Sequence, residues 1–346
     1  MKRKKMLVTG GSGFIGGNFV QYIVNKYPEY DIYNLDLLTY AGDLTKHKDI
    51  EVKDNYLFVK GDIADRESIM SLFEKEKFDF VVHFAAESHV DRSITDPGVF
   101  VQTNVVGTQT LLDASRHVGI TKFVHVSTDE VYGELDFDPT TFFTENTPLQ
   151  PNSPYSASKA SSDFLVRAYH ETYGLPVNIT RCSNNYGPFH FPEKLIPLTI
   201  SRVLNEEKVP VYGDGKNIRD WLHVIDHCSA IDLVLHKGQV GEVYNVGGHN
   251  EKTNLEVVKS IINILGKSEN LIEFVEDRLG HDKRYAIDPT KLEQLGWEPT
   301  YKFETGIAQT IQWYIDNKDW WEQIISGEYK EYFDKQYNGK DQKIKH

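Results

Sequence analysis

A glycine pattern close to the start of the chain constrains its fold most strongly. Met6 to Val8 is a short apolar run typical of a β-strand, and Thr9-Gly10-Gly11-Ser12-Gly13-Phe14-Ile15-Gly16 follows it directly. The spacing Gly10-x-x-Gly13-x-x-Gly16 allows a tight turn whose backbone N–H groups point at a pyrophosphate, at the start of a helix predicted to end near Lys26. A second predicted strand, 31–35, ends at Asp36, where a carboxylate can bind a ribose hydroxyl and repel the 2′-phosphate of NADP. The pattern therefore predicts an NAD site.

Strand and helix patterns alternate through the first 130 residues. After the glycine pattern we expect strands at 56–60, 80–84 and 122–126, with helices at 68–76 and 100–117. Such alternation predicts a parallel, doubly wound sheet of the Rossmann type. The predicted fold class is therefore α/β, with a Rossmann-type sheet and a smaller, interleaved C-terminal α/β domain.

The second half suggests how the two domains interleave, because 221–247 again has the pattern of the sheet domain whereas 181–220 does not. We predict an NAD-binding domain from residues 1–180 and 221–247. The second domain is predicted to comprise residues 181–220 and 248–328. Residues 329–346 are polar and charged and are predicted to form a frayed tail.

Composition limits the possible partners. The 346 residues carry a net charge of −13, from 38 basic and 51 acidic side chains, which argues against nucleic acid or an anionic membrane as partner. The two cysteines, Cys182 and Cys228, fit a reducing compartment, and we expect Cys182 to be a packing residue. Because we find neither a secretory signal nor a membrane-spanning run, we expect a soluble, cytoplasmic protein that acts on a small molecule.

Two polar motifs could carry chemistry. Ser-Thr-Asp-Glu-Val-Tyr-Gly, from Ser127 to Gly133, follows the strand at 122–126, and ligands bind at the carboxyl ends of such strands. Alone, this motif is more typical of a polar turn.

Tyr155 and Lys159 lie four residues apart at the start of a predicted helix, so they share one face, where an ammonium could lower the pKa of a phenol. Four other Tyr and Lys pairs have this spacing, and only the position after a polar loop singles this one out.

Together these motifs resemble the extended short-chain dehydrogenase/reductases, which are the NAD-dependent epimerase/dehydratase family, and especially their nucleotide-sugar dehydratases. The similarity runs from Val8 to about Trp321 through TGGSGFIG, AAESHVDRS, STDEVYG, YSASKASSD, RCSNNYGP, EKLIPL, RDWLHVIDH and DRLGHDKRYAID. STDEVYG and DRLGHDKRYAID are the most specific of these. The resemblance implies NAD as cofactor, a homodimer, and conversion of dTDP-glucose to its 4-keto-6-deoxy derivative.

The resemblance also implies a division of roles. Tyr155, with Lys159 and Thr128, would take the proton of the sugar C4 hydroxyl while hydride passes to NAD. Glu130 would then remove the C5 proton, and Asp129 would protonate the departing C6 hydroxyl. Adjacent carboxyls can hold opposite protonation states because their charges repel. Since neighbours on a strand point to opposite faces, we predict that the backbone leaves strand geometry by Asp129.

The binding residues are predicted from the same motifs. Those expected to contact the cofactor are Gly10, Gly13, Phe14, Ile15, Gly16, Asp36, Thr39, Asp62, Ile63, Ala85, Ala86, Ser88, Thr103, Tyr155, Lys159 and Asn185. Those expected to contact the substrate are Ser88, His89, Thr128, Asn184, Lys194, Leu195, Tyr212, Arg219, Asn254, Arg278 and His281. The two arginines offer the bidentate fork that suits a diphosphate. His223 and His227 stand four residues apart but lack a third ligand, so no metal is expected.

Other functions remain open at the level of the sequence. A nucleotide-sugar 4-epimerase shares the fold, NAD, Tyr155 and Lys159 but does not need the two carboxyls. A nucleotide-sugar decarboxylase would need an arginine or serine facing a C6 carboxylate. A regulatory Rossmann protein that only senses NAD would need none of the catalytic groups. The sequence does not discriminate between thymine and uracil, which differ by one methyl group.

Overall fold

A parallel sheet forms the frame of the molecule. The computed structural model describes residues 3–277 and 281–326. In chain order its strands are β1 (Lys4–Thr9), β2 (Tyr30–Asp36), β3 (Tyr56–Lys60), β4 (Phe80–His83), β5 (Lys122–Thr128), β6 (Val177–Cys182), β7 (Asn184–Tyr186), β8 (Val209–Tyr212), β9 (Ile218–His223), β10 (Val243–Val246), β11 (Glu251–Thr253) and β12 (Ile272–Val275). Within the described residues, seven of them pair in parallel in the order β10-β6-β5-β4-β1-β2-β3.

The strand order reverses direction between β1 and β4, and ligands bind at such a switch point in open α/β sheets. Side chains such as Met6, Val82 and Val124 fill one face of the sheet, while Leu7, Val81 and Phe123 fill the other. Because both faces are buried, these strands are nearly continuous apolar runs. The fold is α/β, as the sequence predicts.

Helices cover both faces of the sheet and build the smaller domain. They are α1 (Phe14–Lys26), α2 (Arg66–Glu76), α3 (Val90–Thr95), α4 (Pro97–Phe100), α5 (Thr108–Val118), α6 (Pro154–Tyr173), α7 (Leu195–Leu204), α8 (Val224–Lys237), α9 (Asn254–Ile264), α10 (Thr290–Glu293), α11 (Phe303–Asp316) and α12 (Lys318–Ser326). Among the residues described, no helix is long and apolar enough to cross a membrane.

The helix expected at 100–117 contains a π-helical segment, Val101–Gly107, between α4 and α5. The amide of Asn104 within this segment bonds to the backbone of Glu87 at 2.8 and 3.0 Å and to Ser158 Oγ at 2.8 Å. The wider turn therefore joins the loop after β4 to helix α6. Periodicity alone could not indicate it, because π-segments are rare and depend on such tertiary contacts.

The smaller domain contains short strands packed with helices. β7, β9 and β11 form one sheet, and β8 pairs with β12 in another. The predicted first-domain stretch 221–247 is shared between the two domains, since β10 joins the large sheet whereas β9 joins the small one. The exact domain boundaries stay a prediction, and the predicted tail at 329–346 lies outside the described residues.

Candidate active site

A cleft of about 390 Å³ opens at the carboxyl ends of β1, β2, β4, β5 and β6. The structure brings together along its wall all the side chains and glycines that the sequence assigns to the cofactor. These are Gly10, Gly13, Phe14, Ile15, Gly16, Asp36, Thr39, Asp62, Ile63, Ala85, Ala86, Ser88, Thr103, Tyr155, Lys159 and Asn185.

The glycine loop is shaped for close backbone packing. Gly10 has a φ of +70°, and a Cβ atom there would lie 2.6 Å from the backbone nitrogen of Ala85. A Cβ atom on Gly16 would lie 2.2 Å from the carbonyl oxygen of Gly10, at the start of α1. Bare backbone thus forms this end of the cleft, next to a helix N-terminus, which is what a dinucleotide pyrophosphate requires.

Asp36 lies at the end of β2, beside the glycine loop. Its carboxylate oxygens accept hydrogen bonds from the backbone N–H groups of Ser12, at 2.9 Å, and Leu38, at 2.8 Å. These two bonds fix the carboxylate at the end of β2, where an adenosine ribose would bind. The residues present therefore fit an unphosphorylated dinucleotide such as NAD.

The acid pair, Asp129 and Glu130, lies where the strand ends. β5 continues to Thr128, and residues Asp129–Tyr132 then form a 3-10 turn, so the prediction that the backbone leaves strand geometry by Asp129 is confirmed. The hydroxyl oxygen of Thr128 accepts the Glu130 N–H at 3.3 Å and lies 3.4 Å from Asp129 Oδ1. Because of this turn both carboxyls line the same cleft.

The surroundings of the acid pair favour different protonation states. Burial, with the nearby carboxylates of Glu130 and Asp220, raises the pKa of Asp129 well above its ordinary value, although Arg219 and the Thr128 hydroxyl oppose the shift. The protein environment therefore favours the protonated form of Asp129. Its Oδ2 atom is buried and has no protein hydrogen-bond partner, so it can donate a proton into the cleft.

Tyr155 and Lys159 begin helix α6, whose N-terminus is fixed by a capping box between Ser153 and Ser156. Burial, with Glu130 as the next cause, raises the pKa of Tyr155, while its hydrogen bond with Thr128 lowers it. The Lys159 ammonium donates to the carbonyl oxygen of Val126 at 2.9 Å. In this site the burial of the phenol outweighs the expected lowering of its pKa, so Tyr155 is a neutral donor and acceptor.

The predicted substrate residues form two groups. Ser88, Thr128, Asn184, Lys194 and Leu195 line the cleft. Its lining does not include His89, Tyr212, Arg219, Asn254 or His281. Arg278 lies outside the described residues.

Of the second group, Arg219 is the residue whose charge acts on the acid pair. Arg219 donates to the carbonyl oxygens of Ile218 and Asp282, at 2.7 and 2.9 Å, and lies 4.3 Å from the ring centroid of Tyr285. The charge of Arg219 acts on Asp129, and that of Glu130 acts on Tyr285. Contact of this group with substrate stays a prediction.

Sequence reasoning missed several residues that also line the cleft. The Tyr40 hydroxyl donates to Glu193 Oε1 at 3.3 Å, and the His190 ring stacks on Phe14 with centroids 4.2 Å apart. Glu193 is buried, and burial raises its pKa. Glu193 directly precedes the predicted Lys194, so the EKLIPL motif could have indicated Glu193 as a site residue. Nothing in the sequence indicates that Tyr40 contacts Glu193.

The two histidines four residues apart have structural partners. His223 caps α8 by accepting the Ile225 N–H, and His227 Nδ1 lies 2.9 Å from Asn185 Oδ1. Within residues 3–277 and 281–326, no group of three His, Cys, Asp or Glu side chains could hold a metal ion.

The cleft fits NAD and contains a tyrosine, a lysine and an acid pair at the strand ends. This combination defines an active site of the extended short-chain dehydrogenase/reductase class. Comparison with known families agrees, because the model of the family described as GDP-mannose 4,6 dehydratase matches residues 7–310. The chain belongs to this NAD-dependent epimerase/dehydratase family.

Individual relatives are similar over almost the whole chain. A dTDP-glucose 4,6-dehydratase of Xanthomonas campestris pv. campestris (strain B100) is 55% identical over 343 residues, which cover 94% of this chain and 97% of that protein. The dTDP-glucose 4,6-dehydratase DesIV of Streptomyces venezuelae, solved with NAD and TYD bound, is 48% identical with a TM-score of 0.89 and covers 92% of this chain and 99% of its own. A UDP-glucose 4-epimerase of Thermus thermophilus, solved with NAD, is 30% identical with a TM-score of 0.83, over 90% and 99% of the two chains.

Proposed function

We propose that this chain is a dTDP-glucose 4,6-dehydratase, a hydro-lyase that uses NAD and forms dTDP-4-keto-6-deoxyglucose. The observation that carries the proposal is the acid pair on one turn, with Asp129 buried beside Glu130 in the same cleft as Tyr155. Elimination of water needs one acid and one base, and this pair supplies both. The high identity to curated dehydratases supports the same substrate.

Each residue has a defined task in the proposed reaction. NAD, held by the glycine loop and Asp36, would supply the hydride acceptor for C4 and the hydride donor for C6. Tyr155 takes the C4 hydroxyl proton as a phenolate, and the Lys159 ammonium and the Thr128 hydroxyl favour that form against the burial that otherwise keeps the phenol neutral. Glu130 removes the C5 proton that the new ketone acidifies and returns a proton to C5 when C6 is reduced. Asp129 donates its proton to the C6 hydroxyl, which leaves as water.

Binding of the sugar nucleotide is divided between the two domains. Ser88, Asn184, Lys194 and Leu195 line the cleft and would hold the sugar and its diphosphate. We propose that Arg219 and Arg278 hold the diphosphate, and that His89, Tyr212, Asn254 and His281 contact the remainder of the sugar nucleotide. The charge of Arg219 acts on Asp129, which supports a position of Arg219 close to the sugar.

A 4-epimerase is the second candidate, since an epimerase shares this fold at 30% identity. Such a reaction oxidises C4 and reduces it again from the other face, without loss of water. It gives no task to a buried, protonated Asp129 beside Glu130. Dehydration is therefore the better account.

Turnover of a C6-labelled dTDP-glucose by the purified protein, without added NAD, tests the proposal. We expect a 4-keto-6-deoxy product that absorbs in alkali and retains the label. A galactose product would show epimerisation, and released carbon dioxide would show decarboxylation. Parallel turnover of UDP-glucose measures the preference for thymine, and activity without added cofactor shows that NAD remains bound during purification.

We also propose that the protein is a cytoplasmic homodimer. Ile94 on α3, Val99 on α4, Val101 directly after α4, and Phe164 on α6 are large apolar side chains that remain exposed in the single chain. They lie on neighbouring elements that contact one another, and we call this set of four residues the helical face. A second copy of the chain would bury it.

A further inference from the structure

A group of titratable side chains is buried at the cleft, and of its members only Lys159 has a role proposed above. Lys159 and Asp163 lie one turn apart on α6, and His125 and Arg181 come from the neighbouring strands β5 and β6. All four are at most 6% exposed. Buried charge is expensive unless it is paired, so this group needs an explanation.

Its contacts form a short chain of groups. The Lys159 Nζ atom lies 3.5 Å from His125 Nε2, and the same nitrogen of His125 lies 3.4 Å from Asp163 Oδ1. The other Asp163 oxygen accepts Arg181 Nε at 2.8 Å. The imidazole thus stands between the ammonium and the carboxylate.

We infer that Asp163 is a positioning residue for the Lys159 and Tyr155 pair, because its carboxylate is the counter-ion that keeps the buried ammonium charged, with His125 as a neutral spacer. The inference rests on the proposed function, since Lys159 matters to the reaction only if Tyr155 exchanges a proton with the sugar. Asp163 itself is not part of the cleft lining.

The balance of charge supports this role. Lys159 and Arg181 are two cations that share one buried carboxylate. Burial lowers the pKa of Lys159 to about 8, and the Asp163 charge is the largest effect that opposes this. Burial would raise the pKa of Asp163, but Arg181 and His125 bring it to about 2, while burial lowers the pKa of His125 to about 4.

Without Asp163, two buried cations would remain with no anion between them. Arg181 cannot release its proton near neutral pH, so Lys159 would. The other titratable or charged groups that act on this cluster or on the Tyr155 phenol are His83 from β4, Cys182 from β6, and Asp129, Glu130 and Tyr132 from the turn after β5, of which the Tyr132 hydroxyl accepts Arg181 Nη1 at 3.0 Å. Of these, the acid pair belongs to the elimination step, which leaves Asp163 as the anion dedicated to Lys159.

Replacement of Asp163 by its isostere tests the inference. In Asp163→Asn holoenzyme we expect the basic limb of the kcat–pH profile to move down by about one pH unit or more. At pH 8 kcat would then fall ~5-fold, since a pKa that drops from about 8 to about 7 reduces the protonated fraction of Lys159 from about one half to about one eleventh. KM for dTDP-glucose would stay unchanged, because Asp163 does not line the cleft. A purely structural role would lower kcat at all pH values without moving the limb.

Arg181→Met is the matched control, since it breaks the same ion pair but keeps the anion. It removes the cation that competes with Lys159 for Asp163, so its basic limb moves to higher pH. Asp163→Glu keeps the charge and the position of the limb. A folded Asp163→Asn enzyme with an unmoved limb overturns the inference.

If Asp163→Asn does not fold, the kcat–pH profiles of Arg181→Met and Asp163→Glu test the inference instead. In Arg181→Met, a basic limb that stays in place or moves to lower pH overturns the inference. In Asp163→Glu, a basic limb that moves to lower pH overturns it. Absence of dehydration by the wild-type protein would instead reject the proposed function, so the two failures are distinguishable.

Discussion

At the scale of single residues, two adjacent carboxyls differ because their exposure differs. Asp129 is 2% exposed, whereas Glu130 is only partly buried. Burial is the largest cause that raises the pKa of Asp129, and repulsion from Glu130 adds to it. This environment favours a protonated Asp129, which agrees with the proposed role of Asp129 as the acid.

Replacement of the base tests this assignment. Glu130→Gln should lower dehydration ~10²- to 10⁴-fold, the usual contribution of a general base. Oxidation at C4 should persist, which would be measured as reduced nicotinamide absorbance after one addition of dTDP-glucose. Glu134→Gln is the control, because Glu134 is exposed beyond the turn and accepts the Lys283 N–H. Unchanged turnover in Glu130→Gln would contradict the catalytic account.

The sequence predicted residues whose function depends on local spacing, and missed those that depend on distant partners. The acid pair and Tyr155 follow recognisable strand and helix signals, so their common location could be predicted. Tyr40 and Glu193 are 153 residues apart and meet only in the tertiary structure. The same holds for His125, whose place between Lys159 and Asp163 depends on strand pairing and not on any local motif.

At the scale of elements, the glycine loop depends on the distance between β1 and the start of α1. Gly16→Ala would place a Cβ atom 2.2 Å from the Gly10 carbonyl oxygen, which is backbone and cannot move aside cheaply. We expect a loss of about 1–3 kcal/mol in the free energy of unfolding, and weaker NAD binding. Urea denaturation and calorimetric titration with NAD measure both.

Gly98→Ala is the control for this prediction. A Cβ atom there would lie no closer than 3.6 Å to Asp96 Oδ1, which is ordinary contact. Its stability and NAD affinity should match those of the wild type. Equal behaviour of the two alanine variants would show that close backbone packing at Gly16 is unimportant.

Helix α6 is held to the sheet by the ion pair between Asp163 and Arg181. The pKa of Asp163 is about 2 in the folded protein, against an ordinary value of 3.8, so folding favours its ionised form. At pH values above the ordinary pKa, the ionised Asp163 carboxylate contributes about 2 kcal/mol to the free energy of unfolding, and this contribution is lost as the pH falls through the folded pKa. The stability difference between wild type and Asp163→Asn should thus shrink by about 1 kcal/mol from pH 7 to pH 3 in urea titrations. A stability difference between wild type and Asp163→Asn that does not change with pH would contradict this prediction.

At the scale of the whole molecule, a parallel, doubly wound sheet could be predicted because alternating strands and helices leave few topologies. The π-segment and the distribution of 221–247 over two sheets could not, since both arise from contacts between distant parts of the chain.

Charge placed on the helical face tests the proposed dimer. Phe164 is 57% exposed in the single chain, and Phe164→Asp should shift the protein to a monomer in analytical ultracentrifugation. Phe274→Asp is a matched control, because Phe274 is 58% exposed on β12, away from that face. If both variants keep the sedimentation of the wild type, the helical face is not the interface.

The two carboxyls of the acid pair occupy a segment of only four residues, which follows a strand paired on both sides. An ancestor that merely oxidised and re-reduced a sugar could have gained the elimination step by substitutions in this segment alone. Neither the sheet nor the cofactor cradle would have had to change. Reactions within such a family can then diverge through substitutions in one short turn while the rest of the fold stays the same. The same turn is the first target for changing the reaction of the enzyme by mutagenesis.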